Sequence, residues 1–370
     1  MNTDPQNPEP PAGNPRSGSK LRRIVAVLVA LTTFAVGFCL VATGLGRVLP
    51  PLYAFQVTPK LHHLEKHRGE FDVLFFGSSR VLRHFATADF EARLAASGHP
   101  LHAFNCGIDA MPPPEGFYTL REALARRPGA RWILVELWDI RSVADAGSLA
   151  VKRFIHWHDP RHTVLVLRRL FGDPRLGAGE KIARATIHLR AAFTRCSHYG
   201  RGPELLQPAL QPPQKKRAFE EPTPWLTTGG FQPGPGDPMR GQKRAQYEKA
   251  VEAIRTSLPA VPWPPLLREE AAILAREIRA TGAEPVFVVM PTINGSENYA
   301  DPRTEGIDAG MISLVSPDRF PLLYDPDRHN DDWHLTETGA RDFTRYLADE
   351  FRALLESRSA PAKSAVSGGK

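Results

Sequence analysis

A short apolar run that ends in a turn of small residues is the feature that most constrains the fold of this chain. Residues 71–76 read Phe-Asp-Val-Leu-Phe-Phe, and residues 77–80 read Gly-Ser-Ser-Arg. An apolar run of this length is typical of a strand buried in a parallel sheet, and glycine permits a tight turn out of that sheet. A turn between a strand and a helix is also a common position for a hydroxyl nucleophile. The segment therefore predicts a buried strand with a serine, either Ser78 or Ser79, presented at its end.

Strand-like and helix-like patterns alternate along the rest of the chain, except in its middle. Further strands are predicted at 101–104, 132–137, 285–290 and 321–324, and helices at 87–97, 116–127, 265–281 and 338–355. This alternation predicts an α/β protein, specifically a three-layer α/β/α, flavodoxin-like domain with a mainly parallel sheet. Sites in such folds lie at the carboxyl ends of the strands.

The N-terminal part contains an uncharged segment, Ile24 to Gly46, between basic residues. At 1.5 Å per residue, a helix of this segment is about 34 Å long, which is enough to cross a hydrocarbon core. A cleaved signal peptide has a shorter apolar region, of about 7–15 residues. The stronger basic cluster precedes the segment and favours a cytoplasmic N-terminus. We therefore expect a single-pass protein of the inner (cytoplasmic) membrane whose main domain is periplasmic or extracellular.

Composition divides the chain into segments with different expected roles. We expect a disordered cytoplasmic tail at 1–19, a transmembrane anchor at 20–48, a connecting stalk at 49–69, the main domain at 70–357 and a disordered tail at 358–370. Within the main domain, residues 151–260 are interpreted as an insertion, because residues 202–241 are crowded with proline and glycine. Two interpretations of the insertion stay open: it shapes the substrate groove, or it is a poorly ordered loop.

A second motif lies just before the last predicted helix, where residues 331–335 read Asp-Asp-Trp-His-Leu. A serine hydroxyl needs a base to remove its proton, and imidazole suits this task near neutral pH. The base in turn needs an acid that holds its tautomer. Taken alone, the two aspartates are also typical of a helix N-cap, and His334 of a surface histidine. Together with the Gly-Ser-Ser turn, the motif favours nucleophilic catalysis.

The two motifs together resemble the SGNH/GDSL hydrolase superfamily, which has its serine in an early Gly-Asp-Ser-type turn and its acid and base in a late Asp-x-x-His. The resemblance implies that Ser79 is the nucleophile, His334 the base and Asp331 the acid. It also implies an oxyanion hole formed by Ser79 and Gly107, the glycine of residues 104–108, Phe-Asn-Cys-Gly-Ile. The Gly-Ser-Ser-Arg variant is similar to a membrane-anchored branch that includes proteins of polysaccharide O-acetylation and teichoic-acid D-alanyl transfer.

The sequence departs from the family pattern at three positions. Ser78 stands where the family usually has aspartate, and Arg80 where it often has leucine. Arg80 is expected either to form an ion pair with Glu136 or to contact an acidic or hydroxyl-rich substrate. The family's Gly-x-Asn-Asp block also supplies an asparagine to the oxyanion hole, whereas residues 132–139 read Trp-Ile-Leu-Val-Glu-Leu-Trp-Asp. Loss of one such donor costs on the order of 10²–10³ in turnover.

The resemblance and the expected compartment imply a function in the cell envelope. The first hypothesis is a serine esterase or O-acyltransferase that acts on an acylated cell-envelope glycan through an acyl-serine intermediate, without a cofactor. The alternative is a non-catalytic accessory or glycan-binding protein that assists a membrane-bound acyltransferase. An acylated polysaccharide or other ester is the implied ligand, and the missing asparagine favours the alternative.

Composition and spacing argue against nucleic acid and metal ions. The formal charge is +7 and the pI about 9.4, but no run of basic residues is interleaved with aromatic ones, so we expect no nucleic-acid partner. The acid-rich run at 325–332 lacks the glycine and the alternating oxygen ligands of a calcium loop, and no zinc-ligand spacing is present. His156 and His158 are interpreted as structural. We therefore expect no metal site.

Overall fold

The structure is a computed structural model that describes residues 16–49, 54–141, 144–202, 224–256, 258–293 and 297–359. Most of both predicted tails, at 1–15 and 360–370, lies outside the described residues. The chain divides into two compact units, one from residues 1–51 and 193–210 and the other from residues 52–192 and 211–370.

The first unit contains helix α1 (Arg16–Val48). Its part Lys20–Val48 is long and apolar enough to cross a membrane, judged by length and composition. Large apolar side chains, among them Leu28, Phe34 and Leu40, are exposed along it. The expected N-terminal apolar helix is therefore confirmed.

The second unit is built on a five-stranded sheet in which every pairing is parallel. Its strands are β1 (Val73–Phe76), β2 (Ala103–Asn105), β3 (Trp132–Glu136), β4 (Glu284–Val289) and β5 (Gly310–Ser313), in the order β2-β1-β3-β4-β5. The predicted α/β class is confirmed. Because β1 and β3 are neighbours, the turn after Phe76 lies beside Glu136 at the end of β3.

Helices precede the first strand, connect the strands and follow the last of them. They are α2 (Val57–Lys66), α3 (Ser79–His84), α4 (Thr87–Ala96), α5 (Pro113–Ala125), α6 (Lys152–His156), α7 (Pro160–Gly172), α8 (Ala178–Ser197), α9 (Gly241–Thr256), α10 (Pro265–Arg279) and α11 (Glu337–Ser359). Short 3₁₀ helices are Ala146–Ala150, Pro224–Leu226, Pro302–Glu305, Pro321–Tyr324 and Pro326–Arg328.

The hydrophobic core is divided by the sheet. Successive strand residues point to opposite faces, so Leu74 and Phe76 belong to one buried cluster and Val73 and Phe75 to another. The first cluster includes residues of α2, α5 and α10, and the second includes residues of α4, α9 and α11. Both faces of the sheet are therefore buried, as the continuous apolar runs of its strands require.

One predicted strand is wrong and one strand was not predicted. Pro321–Tyr324 is a 3₁₀ helix, which its proline favours because the ring fixes φ near −65° and the first helical position needs no N–H donor. The fifth strand is Gly310–Ser313 at the edge of the sheet. Three of its four residues are only partly buried, so it lacks the apolar run that marks the central strands.

Two other segments differ from expectation. The segment 49–69 is predicted as a connecting stalk, but Lys60, Leu61 and Leu64 of α2 are buried in the second unit. The described part of the predicted insertion, 151–260, contains helices α6 to α9, whereas residues 203–223 of its proline-rich part lie outside the described residues. At β2, the Asn105 N–H donates to the Gly229 carbonyl at 2.8 Å, so the insertion covers part of this edge of the sheet.

Candidate active site

The turn after β1 is held by the carboxylate of Glu136. Glu136 Oε2 accepts from the Ser78 N–H at 2.5 Å, and Oε1 accepts from the Ser78 hydroxyl at 3.1 Å and from Arg80 Nε at 2.6 Å. Ser78 Oγ caps α3 by accepting from the Arg80 N–H at 3.2 Å. A Cβ at position 77 would lie 2.6 Å from Glu136 Oε2, so Gly77 is required for this approach. The ion pair that was one expectation for Arg80 is present and buried.

Ser79, the first residue of α3, meets the second motif at this end of the sheet. Ser79 Oγ is 2.8 Å from His334 Nε2, and His334 Nδ1 is 3.0 Å from each carboxylate oxygen of Asp331. Asp331 Oδ1 also accepts from the backbone N–H groups of Trp333 and His334, at 2.8 and 2.9 Å. The structure thus brings together the three residues that the resemblance implies as nucleophile, base and acid.

The protonation states in this chain of hydrogen bonds follow from the acid. Partial burial raises the pKa of Asp331, but the hydrogen bonds from His334 and from backbone N–H groups outweigh it and lower the pKa to about 2. The carboxylate is therefore ionised and accepts only, so His334 carries its proton on Nδ1. When the ring is neutral, Nε2 has its lone pair facing the Ser79 hydroxyl, which is the arrangement that activates a serine.

A cleft of about 280 Å³ lies beside Ser79 and His334. Its walls include Arg80, Trp138, Arg141 and Trp333. The Arg80 guanidinium lies 5.6 Å from the ring centre of Trp138 and 5.7 Å from that of Trp333, which is 43 % exposed. An exposed aromatic face next to Ser79 suits an acyl group or the apolar face of a sugar ring.

Gly107 does not have the role in the oxyanion hole that the resemblance implies. Its N–H donates to Asn105 Oδ1 at 2.8 Å, so this donor is already used inside the protein. A Cβ at position 107 would lie 2.2 Å from the backbone nitrogen of Leu82 in α3. The glycine therefore permits close packing against the helix that carries Ser79. The other implied donor, the Ser79 N–H, has no acceptor among the described residues.

Asn105 is a site-supporting residue that sequence reasoning missed. Its Nδ2 donates to the carbonyls of Val81 and Phe85, at 2.7 and 2.9 Å, while Oδ1 receives the Gly107 N–H. It satisfies carbonyl groups of α3 and of the residue that follows it. A polar residue at the end of an apolar strand was the available signal.

Lys60 is a second residue that sequence reasoning missed. Its buried Nζ donates to the carbonyls of Asn105, Gly107 and Gly230, at 2.7, 2.7 and 3.0 Å. Burial lowers the pKa of Lys60 to about 7, although three carbonyl acceptors favour the ammonium form. Lys60 lies three residues after Val57 in α2, on the apolar face of the helix. A lysine on such a face was the sequence signal that could have identified it.

Comparison with known proteins adds no relative to this picture. No protein-family model matches the chain, and no curated protein is similar enough to match it.

His84 supports the loop that carries His334. Its Nε2 accepts the Leu335 N–H at 3.0 Å, and its buried ring lies 6.3 Å from the His334 ring and 5.7 Å from the Phe343 ring. Because Nε2 accepts, the ring is neutral and carries its proton on Nδ1. Burial, reinforced by the neighbouring charges of His334, His329 and Arg80, lowers the pKa of His84 well below its usual value.

We expect this histidine to make the protein sensitive to mild acid. The folded pKa is below the unfolded value near 6.5, so the stability that neutral His84 contributes is present above pH 6.5 and is lost as the pH falls. His188, whose pKa burial lowers to about 4, acts in the same direction. The melting temperature of wild type should therefore fall between pH 7 and pH 5.

The matched variant is His84→Leu, measured by thermal unfolding of the detergent-solubilised protein at both pH values. It should be less stable than wild type at pH 7, by about 1–3 kcal/mol, because the buried Leu335 N–H loses its acceptor. It should then lose less stability than wild type on acidification. An equal decrease in both proteins would contradict the assignment of acid sensitivity to His84.

Within the described ranges, no group of three or more His, Cys, Asp or Glu side chains is placed to hold a metal ion. His158 is buried, with Nδ1 2.6 Å from the Phe154 carbonyl oxygen and Nε2 2.8 Å from His188 Nδ1. In the acid-rich run, Asp325 accepts the Asp327 N–H at 2.9 Å as the N-cap of a 3₁₀ helix. These contacts are those of structural residues.

Proposed function

We propose that the protein is a serine esterase or O-acyltransferase of the SGNH/GDSL type, which acts on an acylated cell-envelope glycan through an acyl-Ser79 intermediate. The observation that carries the proposal is the hydrogen-bonded order Asp331, His334, Ser79 at the wall of an open cleft. The glycan is inferred from the Gly-Ser-Ser-Arg resemblance and from the exposed Trp333 beside the nucleophile.

In the first step, His334 Nε2 takes the Ser79 proton as Oγ bonds to the ester carbonyl carbon. The carbonyl π pair moves onto oxygen, and the Ser79 N–H donates to the resulting oxyanion. The carbonyl then re-forms, the bond to the alcohol breaks, and His334 returns the proton to the departing alkoxide. Asp331 holds the His334 Nδ1–H throughout and stabilises the imidazolium.

In the second step, water or a sugar hydroxyl attacks the acyl-Ser79 carbonyl. His334 again takes the proton of the attacking hydroxyl. The tetrahedral intermediate then collapses, the bond between the acyl carbon and Ser79 Oγ breaks, and His334 returns the proton to Ser79 Oγ. Water as acceptor gives hydrolysis, and a sugar hydroxyl gives acyl transfer. Both outcomes use the same residues.

The finer architecture and the location belong to the same proposal. Burial of both sheet faces supports a three-layer α/β/α, flavodoxin-like arrangement of the second unit. The exposed apolar surface of α1 and the basic residues Lys20, Arg22 and Arg23 support a single span of the inner (cytoplasmic) membrane with the N-terminus in the cytoplasm. The main domain then lies in the periplasm or outside the cell.

An alkaline phosphatase fused at residue 355 tests this orientation, because the enzyme is active only after export. We expect the fusion to be active, and an inactive fusion would indicate the opposite orientation.

A second candidate function is a non-catalytic accessory or glycan-binding protein that assists a membrane-bound acyltransferase. Two observations favour it. Strand β3 has no asparagine at its end, and the Gly107 N–H already donates to Asn105. Both observations reduce the number of donors that are free to stabilise an oxyanion.

A fluorophosphonate probe distinguishes the two candidates. An activated serine attacks the phosphorus atom, and the oxyanion hole receives the charge that develops on the phosphoryl oxygen. We expect the detergent-solubilised full-length protein to be labelled on the peptide that contains Ser79 and to release p-nitrophenol from p-nitrophenyl acetate. Heat-denatured protein is the control. A protein that is folded but inert in both assays would make the accessory function the better one.

A further inference from the structure

Arg80 has hydrogen-bonding capacity that its known contacts do not use. A guanidinium offers five N–H groups. In this structure Arg80 Nε donates to Glu136 at 2.6 Å, and Nη1 lies 3.5 Å from a carboxylate oxygen of Glu297. Among the residues that the structure describes, Nη2 has no hydrogen-bond partner. The side chain is only 4 % exposed, and it lines the cleft beside Ser79.

The guanidinium is held rigidly in its charged form. Indole rings flank it, with centres at 5.6 and 5.7 Å. Burial works against the charge, but Glu136 and Glu297 outweigh it and raise the pKa of Arg80. A fixed cation in a water-poor site needs little reorganisation when negative charge develops beside it.

We propose that Arg80 is the second donor of the oxyanion hole, so that its Nη2 and the Ser79 N–H together receive the charge on the carbonyl oxygen in the tetrahedral intermediate. This inference rests on the proposed function. The two residues are adjacent in the first turn of α3, so one helix start presents both donors. Arg80 then takes the place of the asparagine that β3 lacks and of Gly107, whose N–H is engaged. No co-reactant is needed beyond the ester and the accepting hydroxyl.

A structural role would be the opposing explanation, since Arg80 neutralises the buried Glu136, whereas Glu297 also has Arg141 at 3.5 Å. Removal of the arginine alone leaves a buried carboxylate unpaired, and such a variant is prone to unfold. The double variant Arg80→Gln/Glu136→Gln removes both charges together and leaves two amides that can hydrogen-bond to each other. The amide that replaces the Glu136 carboxylate keeps an oxygen that can accept the Ser78 N–H and so hold the turn. If Arg80 served only to neutralise Glu136, this double variant would therefore recover activity along with the fold.

Arg141 provides a matched comparison. It lines the same cleft, its guanidinium lies 3.5 Å from Glu297 and 5.7 Å from the Trp138 ring centre, and its side chain is 40 % exposed. An effect of general positive charge on substrate binding should therefore change KM in Arg141→Gln as well. Stabilisation of the oxyanion should change kcat, and only for Arg80.

The experiment measures kcat and KM for p-nitrophenyl acetate in wild type, Arg80→Lys, the double variant and Arg141→Gln, with thermal unfolding as the test of folding. We expect the folded double variant to lose about 10²–10³-fold in kcat with KM changed only a few-fold. Arg80→Lys should lose about tenfold, because an ammonium keeps the charge without the planar fork. Arg141→Gln should change KM alone.

Retention of kcat within fivefold of wild type in the folded double variant would overturn the assignment. If the double variant does not fold, Arg80→Lys provides the test. A kcat of Arg80→Lys within twofold of the wild-type value would then overturn the inference. An inert wild-type protein would refute the proposed function itself, and the oxyanion role of Arg80 with it. If only the role of Arg80 is wrong, wild type is active and the Arg80 variants are equally active. This result differs from an inert wild type, so a failure of the inference can be distinguished from a failure of the proposed function.

Discussion

The Ser79→Ala variant is expected to lose all fluorophosphonate labelling and about 10⁴-fold or more in kcat for p-nitrophenyl acetate, because the oxygen proposed to accept the acyl group is gone. His334→Ala should lose nearly as much, since Ser79 Oγ then has no base at 2.8 Å. Asp331→Asn should lose less than either, because the acid orients and stabilises the imidazole and does not itself take the proton. All three should remain folded, since Ser79, Asp331 and His334 are only partly buried.

Ser78→Ala is the matched control for this series. Ser78 is the neighbouring serine, and its hydroxyl serves structure by donating to Glu136 and capping α3. We expect its loss to cost about 1 kcal/mol of stability, typical of an N-cap, while labelling of Ser79 persists. Labelling that is abolished in Ser78→Ala and retained in Ser79→Ala would move the nucleophile by one residue.

The second large effect is expected from Gly107→Ala, which should prevent stable folding. The new Cβ would lie 2.2 Å from the backbone nitrogen of Leu82 and 2.8 Å from its Cα. These are backbone atoms of α3, so the contact cannot be relieved by a change of rotamer. We expect a loss of about 3 kcal/mol or more, at the upper end of overpacking costs and a large part of the stability of a typical domain.

Gly116→Ala provides the control for this second prediction. Gly116 lies inside α5, and the nearest atom to its added Cβ would be Met111 Cε at 3.7 Å, an ordinary contact. Alanine is the better helix former, so this variant should be unchanged or up to about 1 kcal/mol more stable. Thermal unfolding and yield of folded protein measure both variants. A Gly107→Ala protein as stable as wild type would show that α3 moves easily away from this turn.

The sequence predicts those parts of the fold that depend on local pattern. The run at 71–76 and the Gly-Ser-Ser turn indicate β1 and the turn that follows it, because the apolar residues of a central strand are contiguous. The short helix α3 that follows the turn was not predicted. The proximity of Ser79 and His334 was implied by a resemblance of motifs, since residues so distant in the chain carry no local signal of contact. Gly310–Ser313 was missed because an edge strand is only partly buried.

The contacts that modify the predicted site are tertiary and could not be predicted from spacing. A glycine in the sequence indicates that space is limited, but it does not say whether its N–H faces a ligand or a neighbouring side chain. The partner of the Gly107 N–H depends on the rotamer of Asn105. That rotamer is set in turn by the carbonyls at the end of α3. The unused donor of Arg80 likewise depends on where two carboxylates from distant segments lie.

The position of Lys60 determines where a soluble fragment of this protein has to begin. A fragment starting at the strand motif, near residue 70, would remove the ammonium group that three buried carbonyls share, including that of Gly107. It would also uncover core surface that Leu61 and Leu64 protect. Such a fragment should aggregate during expression, whereas one that starts ahead of Val57 keeps the whole of α2. The practical starting point of a fragment that contains the second unit therefore lies before α2.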